Sequence, residues 1–336
     1  MTFSITRRTA LTAALTMSVF ASAIASSAAQ DRMTFTLATA GSETDQRSVA
    51  MAEVFAPMVA GFADYQPGYN ATLFAQGTEL EAISRGNLTM SIASAQELAQ
   101  FFPEFSIFAT GYVHQDAAHQ VRVFNDPLMD PFKKRVEDDL GVKLLSVMYL
   151  GRRHVNLRQT REELDVQTPA DLAGVNLRMP GTDAWQFLGS ALGASPTPMA
   201  FTEVYTALST GAVDGQDNPL PTVVDAKFYE VTNQIALTSH LVDLNYIAFS
   251  LETWNSLTSD QQLTVQRAAD AAAAVGRLRQ LDLENSLADR IRSEGVEIYT
   301  PDLEAFRTHV QQQYVGSEFA ESWPEGVLER INALGN

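Results

Sequence analysis

Arg178 stands in the strand-like stretch Val175-Asn-Leu-Arg-Met-Pro180, and about forty residues later comes Val213-Asp-Gly-Gln-Asp-Asn-Pro219, dense in amide and acid side chains. A guanidinium presents planar paired donors that match a carboxylate, and Asn218 adds an amide, so these types suit holding a small organic anion. In the strand, Val175, Leu177 and Met179 point one way, Asn176 and Arg178 the other, and Pro180 ends pairing. This places Arg178 at the carboxyl end of a strand, where open α/β sheets keep their ligand crevices. Read structurally, the same arginine is a surface residue paired with an acid, Asp214-Gly215 is only a turn, and Asn218-Pro219 only a loop start.

A third cluster, Gly151-Arg-Arg-His-Val-Asn156, follows directly on the buried-looking strand Val142–Leu150 and so falls at a sheet's carboxyl edge too. Adjacent arginines aim in different directions; Arg153 is expected to face the crevice and Arg152 the solvent. His114, His119, His154, His240 and His309 read as structural, because none has a carboxylate or second His at a metal-ligand helical spacing. Phe201 and Trp185, with Phe102 and Phe105, suit either a pocket wall or ordinary core packing. Nucleophile elbow, phosphate-cradling glycine loop and paired zinc-ligand motif are all missing, so no catalytic residue, cofactor or metal is expected.

The elements that must position these residues alternate. Met33–Ala38 reads as a strand, 45–59 as a helix, Tyr69–Phe74 as a strand, and Thr78 with Glu81 as a capping box for a helix stopped by Gly86 before Leu88–Ala93. Asp130-Pro131 opens a helix that ends at Leu140-Gly141, Thr168-Pro169 a helical turn, and Thr182-Asp183 a helix with Trp185, Leu188 and Leu192 on one stripe. Pro196 to Pro198 is expected to break the chain, and Thr202 to cap a helix stopped by Gly211. Ser259 to Glu294 contains no proline and allows one helix of about 35 residues, with Gly276 a possible bend. This rhythm implies an α/β fold with parallel sheets.

The first residues carry Arg7-Arg8, an apolar Ala-rich run and Ser27-Ala-Ala29, the pattern of an export signal spanning residues 1–29 and cleaved near Ala29. The net charge of −17 grows more negative when that leader's two arginines leave, which argues against a nucleic-acid partner and makes any anion site a local positive pocket. With no cysteine, the exported fold stands on its apolar core alone.

Thr168-Pro-Ala-Asp-Leu-Ala-Gly174, Leu177-Arg-Met-Pro180, Pro196-Thr-Pro-Met-Ala-Phe-Thr-Glu-Val-Tyr205 and Val213–Pro219 together resemble the solute-binding subunits of tripartite ATP-independent periplasmic (TRAP) transporters, the DctP family of dicarboxylate and sialate receptors. The resemblance runs from about Met33 to beyond Trp323. It implies a two-lobed fold, each lobe a mostly parallel sheet flanked by helices, with a long lobe-spanning helix. Lobe I would comprise 31–151 plus 244–283 and lobe II 152–243 plus 284–336. It further implies a periplasmic monomer that closes over a small organic anion (monocarboxylate, sugar acid or dicarboxylate) and passes it to membrane subunits. Arg178 would make the principal ion pair with the carboxylate, and Arg153, Asn218 and Phe201 would match further ligand contacts. Thr39, Glu79 and Trp185 join them as site candidates, with Ser94, where the sialate branch carries Glu. The alternatives are a periplasmic enzyme acting on a carboxylate, or a sensor-coupled receptor without transport.

Overall fold

The computed structural model describes residues 32–335, so the leader expected over residues 1–29 lies outside the described part. Among the described residues nine strands occur: β1 (Met33–Ala38), β2 (Ala63–Gly68), β3 (Met90–Ser94), β4 (Val142–Leu157), β5 (Asn176–Met179), β6 (Ser195–Pro198), β7 (Gly215–Asn218), β8 (Gln234–Ser250) and β9 (Glu297–Tyr299). They form one sheet in the order β2-β1-β3-β8-β4-β7-β5-β6, with β9 beside β8. Pairing is parallel between β1 and β3, among β5, β6 and β7, and between β8 and β9; it is antiparallel from β3 through β8 and β4 to β7.

The α/β class stands, but the sheet is mixed and continuous rather than a mostly parallel sheet in each half. The cause is two long strands, β4 with 16 residues and β8 with 17, which pair with each other along the centre and join both flanks. Gly151–Asn156 therefore lies inside β4, not beyond its end, and Val213–Pro219 contains strand β7 rather than only a turn. Pro196 and Pro198 sit on the edge strand β6, where a missing N–H leaves no ladder bond unmade. Tyr69–Phe74 is not a strand: Asn70 and Ala71 take left-handed backbone (φ 54° each) and donate to the carbonyls of Gly41 and Thr39, folding this segment onto the loop after β1. The Thr78 capping box is not made either, since the Thr78 hydroxyl turns back to donate to the Ala75 carbonyl.

One helical run covers Gln46 to Val59, with a π turn at Met51–Phe55. The π turn sits just where Pro57 lacks an N–H and its ring would strike the carbonyl one α-turn back. Ser259–Ser293 is a single helix of 35 residues, closed at its start by a reciprocal Thr258–Gln261 capping box. Gly276 marks a close approach within it: a Cβ there would come within 3.2 Å of the Ala50 Cβ, so the long helix seats directly on the first one. Among the described residues no helix is long and apolar enough to cross a membrane.

Two apolar clusters hold the sheet's ends. One gathers Phe105, Phe108, Phe132 and Tyr246, with Phe105 and Phe132 edge to face at 5.4 Å; the other packs Leu177 and Met179 of β5 with Trp185 and Leu188 of the helix that follows it. Between them β4 carries a bulge at Tyr149–Gly151. Gly151 has φ +133°, and a Cβ there would lie 2.5 Å from the Pro219 Cβ and 2.7 Å from Glu284 Oε1. Glu284, on the long helix, accepts from the Arg152 N–H (2.5 Å) and the Tyr149 hydroxyl (2.6 Å), fixing the bulge just ahead of Arg152 and Arg153. Gly151→Ala is expected to destabilise the fold by about 2 kcal/mol or more, from backbone strain plus overlap, measured by urea unfolding; an unchanged midpoint would contradict this account of the bulge.

Candidate functional site

A cleft at the carboxyl ends of β1, β3 and β5 encloses about 610 Å³ of space, mouth included. Thr39, Glu79, Ser94, Arg153, Arg178, Trp185, Phe201 and Asn218 all line it, whereas Phe102 and Phe105 pack in the apolar core instead. Their states differ.

Arg178 is 1% exposed on β5. Its Nε and Nη2 both donate to the Met199 carbonyl (2.9 and 2.7 Å), and Nη2 lies 3.5 Å from Gln76 Oε1. Its guanidinium stands 6.0 Å from the Phe201 ring centre. Among the described residues no carboxylate forms an ion pair with it. Burial pushes its pKa down to about 9, with Asp217 pulling the other way and Arg153 adding repulsion. A carbonyl satisfies two N–H groups but leaves the charge itself uncompensated, a costly arrangement unless an anion arrives.

The other cleft arginines are already neutralised. Arg153 donates to Asp243 (2.6 Å) and to the side chain and backbone of Asp217 (3.0 and 2.7 Å), and its guanidinium lies 4.3 Å from the Trp185 ring centre. Burial opposes its charge, yet Asp217 and Asp243 together hold its pKa above the ordinary arginine value. Burial also opposes ionisation of the two acids. Asp217 nevertheless ends below the usual carboxylate range, because Arg153 and His240 (Nε2 at 3.1 Å) both face it; Asp243 ends above it, with Asp217 repelling it. Arg47 grips Asp45 with Nε and Nη2 (2.9 and 2.8 Å) and reaches Asn245 with Nη1 (2.5 Å). Arg152 turns outward and donates to the Gln115 carbonyl (2.6 Å), as its place in the alternation predicts.

The opposite wall is acidic. Glu79 accepts from the Gly77 N–H (2.7 Å), and burial followed by the charge of Glu97 raises its pKa to about 8. Glu97 is raised too, chiefly by burial, although it closes a capping box with Ser94, accepting from the Ser94 N–H at 2.7 Å. Thr39 is turned to its own loop, accepting from the Gly41 N–H (3.1 Å), and Asn218 donates to Gln216 (2.5 Å).

Arg47, Gln76, Glu97, Asp243 and Asn245 are cleft residues that sequence reasoning missed. Ser94-x-x-Glu97 was readable as a capping box, and Asp45-x-Arg47 as a helix start. Asp243 and Asn245 were hidden because β8, carrying Thr, Ser, His, Asp and Asn, did not read as a strand.

Residues 36–321 match the family described as bacterial extracellular solute-binding protein, family 7. The chain belongs to this family. The sialic acid-binding periplasmic protein SiaP of Vibrio cholerae is 30% identical over 76% of this chain and 77% of its own length. A TRAP periplasmic solute-binding protein from Roseobacter denitrificans, solved with bound 3-deoxy-D-manno-oct-2-ulosonic acid, is 77% identical, covers 91% of this chain and 100% of its own, and superposes with a TM-score of 0.90. A second one from Roseobacter denitrificans, with bound L-galactonate, is 25% identical over 91% of this chain and 99% of its own (TM-score 0.81). The family 7 protein described here is thus a solute receptor of the TRAP type, a periplasmic class whose members bind solute rather than transform it.

Two outcomes follow from this geometry. Asp217→Ala, which strips Arg153 and His240 of a fully buried partner, is expected to cost about 3–5 kcal/mol of stability in chemical denaturation. Because the Glu79 pKa rises on folding, to about 8, its contribution is fully present below the unfolded value near 4.5 and is lost as pH climbs through about 8. Unfolding midpoints measured across that window should fall with pH, and Glu79→Gln should flatten the slope.

Proposed function

We propose that this receptor captures a polyhydroxylated monocarboxylic acid, with 3-deoxy-D-manno-oct-2-ulosonate as the leading candidate, and delivers it to the membrane subunits of a TRAP transporter. The observation that carries this reading is the buried charge of Arg178. Of the cleft arginines, Arg47 and Arg153 are matched by Asp45, Asp217 and Asp243, which leaves one guanidinium for one carboxylate. A second carboxylate would meet Glu79 and Glu97, so dicarboxylates are disfavoured, whereas those two acids suit ligand hydroxyls. The 77% identical Roseobacter protein with its bound ulosonic acid supports the same chemical class.

On this reading the carboxylate binds end-on at the free edge of Arg178, and Phe201, Trp185 and Asn218 bound the sugar chain. Thr39, Ser94 and the remaining Nη2 of Arg153 supply polar contacts. The lobes proposed for this motion are 31–151 plus 244–283 and 152–243 plus 284–336, closing about the two strands that pass between them. Contacts that tie the two sets of residues together support a closed form: Gln76 to Phe201, and the Ser42 and Thr44 hydroxyls to Asp225. Export after cleavage near Ala29 belongs to the same proposal, and N-terminal sequencing of the secreted protein checks it.

Calorimetry with the ulosonate, N-acetylneuraminate, L-galactonate, succinate and malate tests the class: the sugar acids should bind and the dicarboxylates should not. Arg178→Lys keeps the charge and loses the fork, and should weaken binding at least about 100-fold. Unchanged affinity in that variant would overturn the assignment, and turnover of any bound acid would favour an enzyme.

A further inference from the structure

The atoms around Arg178 assign a role to a residue outside the motifs. Nε and one hydrogen of Nη2 are committed to the Met199 carbonyl, so an incoming carboxylate must use the edge formed by Nη1 and the other side of Nη2. Gln76 stands at that edge. Its Oε1 accepts from the Phe201 N–H at 2.8 Å and lies 3.5 Å from Arg178 Nη2. Two donors converging on one atom define which way round the amide sits. Oxygen faces Phe201 and Arg178, and Nε2, with no hydrogen-bond partner among the described residues, is left to the cleft that Gln76 lines.

We propose that Gln76 is a specificity-determining residue: its side-chain NH2 donates to the oxygen carried by the carbon next to the ligand's carboxylate, selecting 2-oxo and 2-hydroxy acids over acids that lack this oxygen. The inference rests on the reading of Arg178 as the carboxylate seat. In such an acid the C2 oxygen lies about one hydrogen-bond length from the nearer carboxylate oxygen, so one anion can engage the guanidinium edge and a neighbouring donor together. A neutral amide is the fitting partner there. A second cation would compete for the carboxylate, and a carboxylate side chain would occupy Arg178 itself. Sites built to bond a ligand oxygen reject the analogue without it because a polar group is then stranded.

The test compares the affinities of the wild type and Gln76→Leu, with melting temperatures recorded on the same samples, for L-galactonate, an open-chain 2-hydroxy acid with a single oxygen on C2, and its 2-deoxy analogue. Wild type should prefer L-galactonate by at least about 10-fold, and Gln76→Leu should shrink that preference to within about 3-fold by weakening L-galactonate alone. An equal loss for both ligands, or a preference that survives the substitution, would overturn the role. Gln76→Glu, which keeps shape and folding, provides the second readout: a carboxylate against Arg178 should raise the melting temperature of the free protein and lower affinity for both ligands at least about 100-fold. Undiminished binding in that variant would also overturn it. If Gln76→Leu keeps the preference while Arg178→Lys abolishes binding, the inference fails and the carboxylate seat stands. If Arg178→Lys binds normally, both fail.

Discussion

A guanidinium buried without a carboxylate is the condition around which the cleft is organised. The chain is strongly acidic, so its long-range field repels anions, and capture has to come from a charge left uncompensated at short range. Arg178 meets this by bonding the Met199 carbonyl, which fixes the plane of its fork without cancelling its charge. The neighbouring acids are disposed accordingly: Asp217 and Asp243 absorb Arg153, Asp45 absorbs Arg47, and among the described residues no carboxylate pairs with Arg178 itself. The depressed pKa of Arg178 and the raised one of Glu79 express the same constraint from opposite walls, with burial opposing the charged form of each.

Holding that arrangement requires backbone from distant parts of the chain to meet at one level. The register that sets Arg178 beside Gln216 and His154 beside Asn218 places β5, β7 and β4 in one polar floor. The pairing of Arg153 with Leu241 across β4 and β8 brings Asp243 within reach two residues on. Neighbouring strand residues alternate in any case, and the bulge at Gly151 shifts the pairing register just ahead of Arg152 and Arg153. Glu284 from the long helix completes the bulge, so a helix distant from the cleft's chemistry still braces the strand that carries a cleft residue. Gly276, by admitting the long helix close to Ala50, sets the distance from which Glu284 acts.

Local rules carried much of this. The strand around Arg178, the helix after Thr182 that presents Trp185, the left-handed stops at Gly86, Gly141 and Gly211, and the full extent of the long helix were legible because each depends on neighbours within a few residues. Strand β7 was not: Gly-Gln-Asp-Asn has turn propensity, and only pairing on both sides, with β4 and β5, holds it extended. Strand β8 failed to show for a related reason, since its polar residues are inward-facing cleft and network groups that break the apolar signature of a central strand.

By itself the sequence determined which residue types converge on an anion and which local elements bear them, because a fork of donors, an amide and helix boundaries are properties of short segments. It also sufficed for the family, whose motifs are contiguous. Only the tertiary structure decided that Arg153 is spent on Asp217 and Asp243 while Arg178 is left free, and that Gln76 stands at the open edge of its fork. Pairing between charges depends on distances across the sheet, set by strand register and a bulge, and no local stretch of chain encodes those distances.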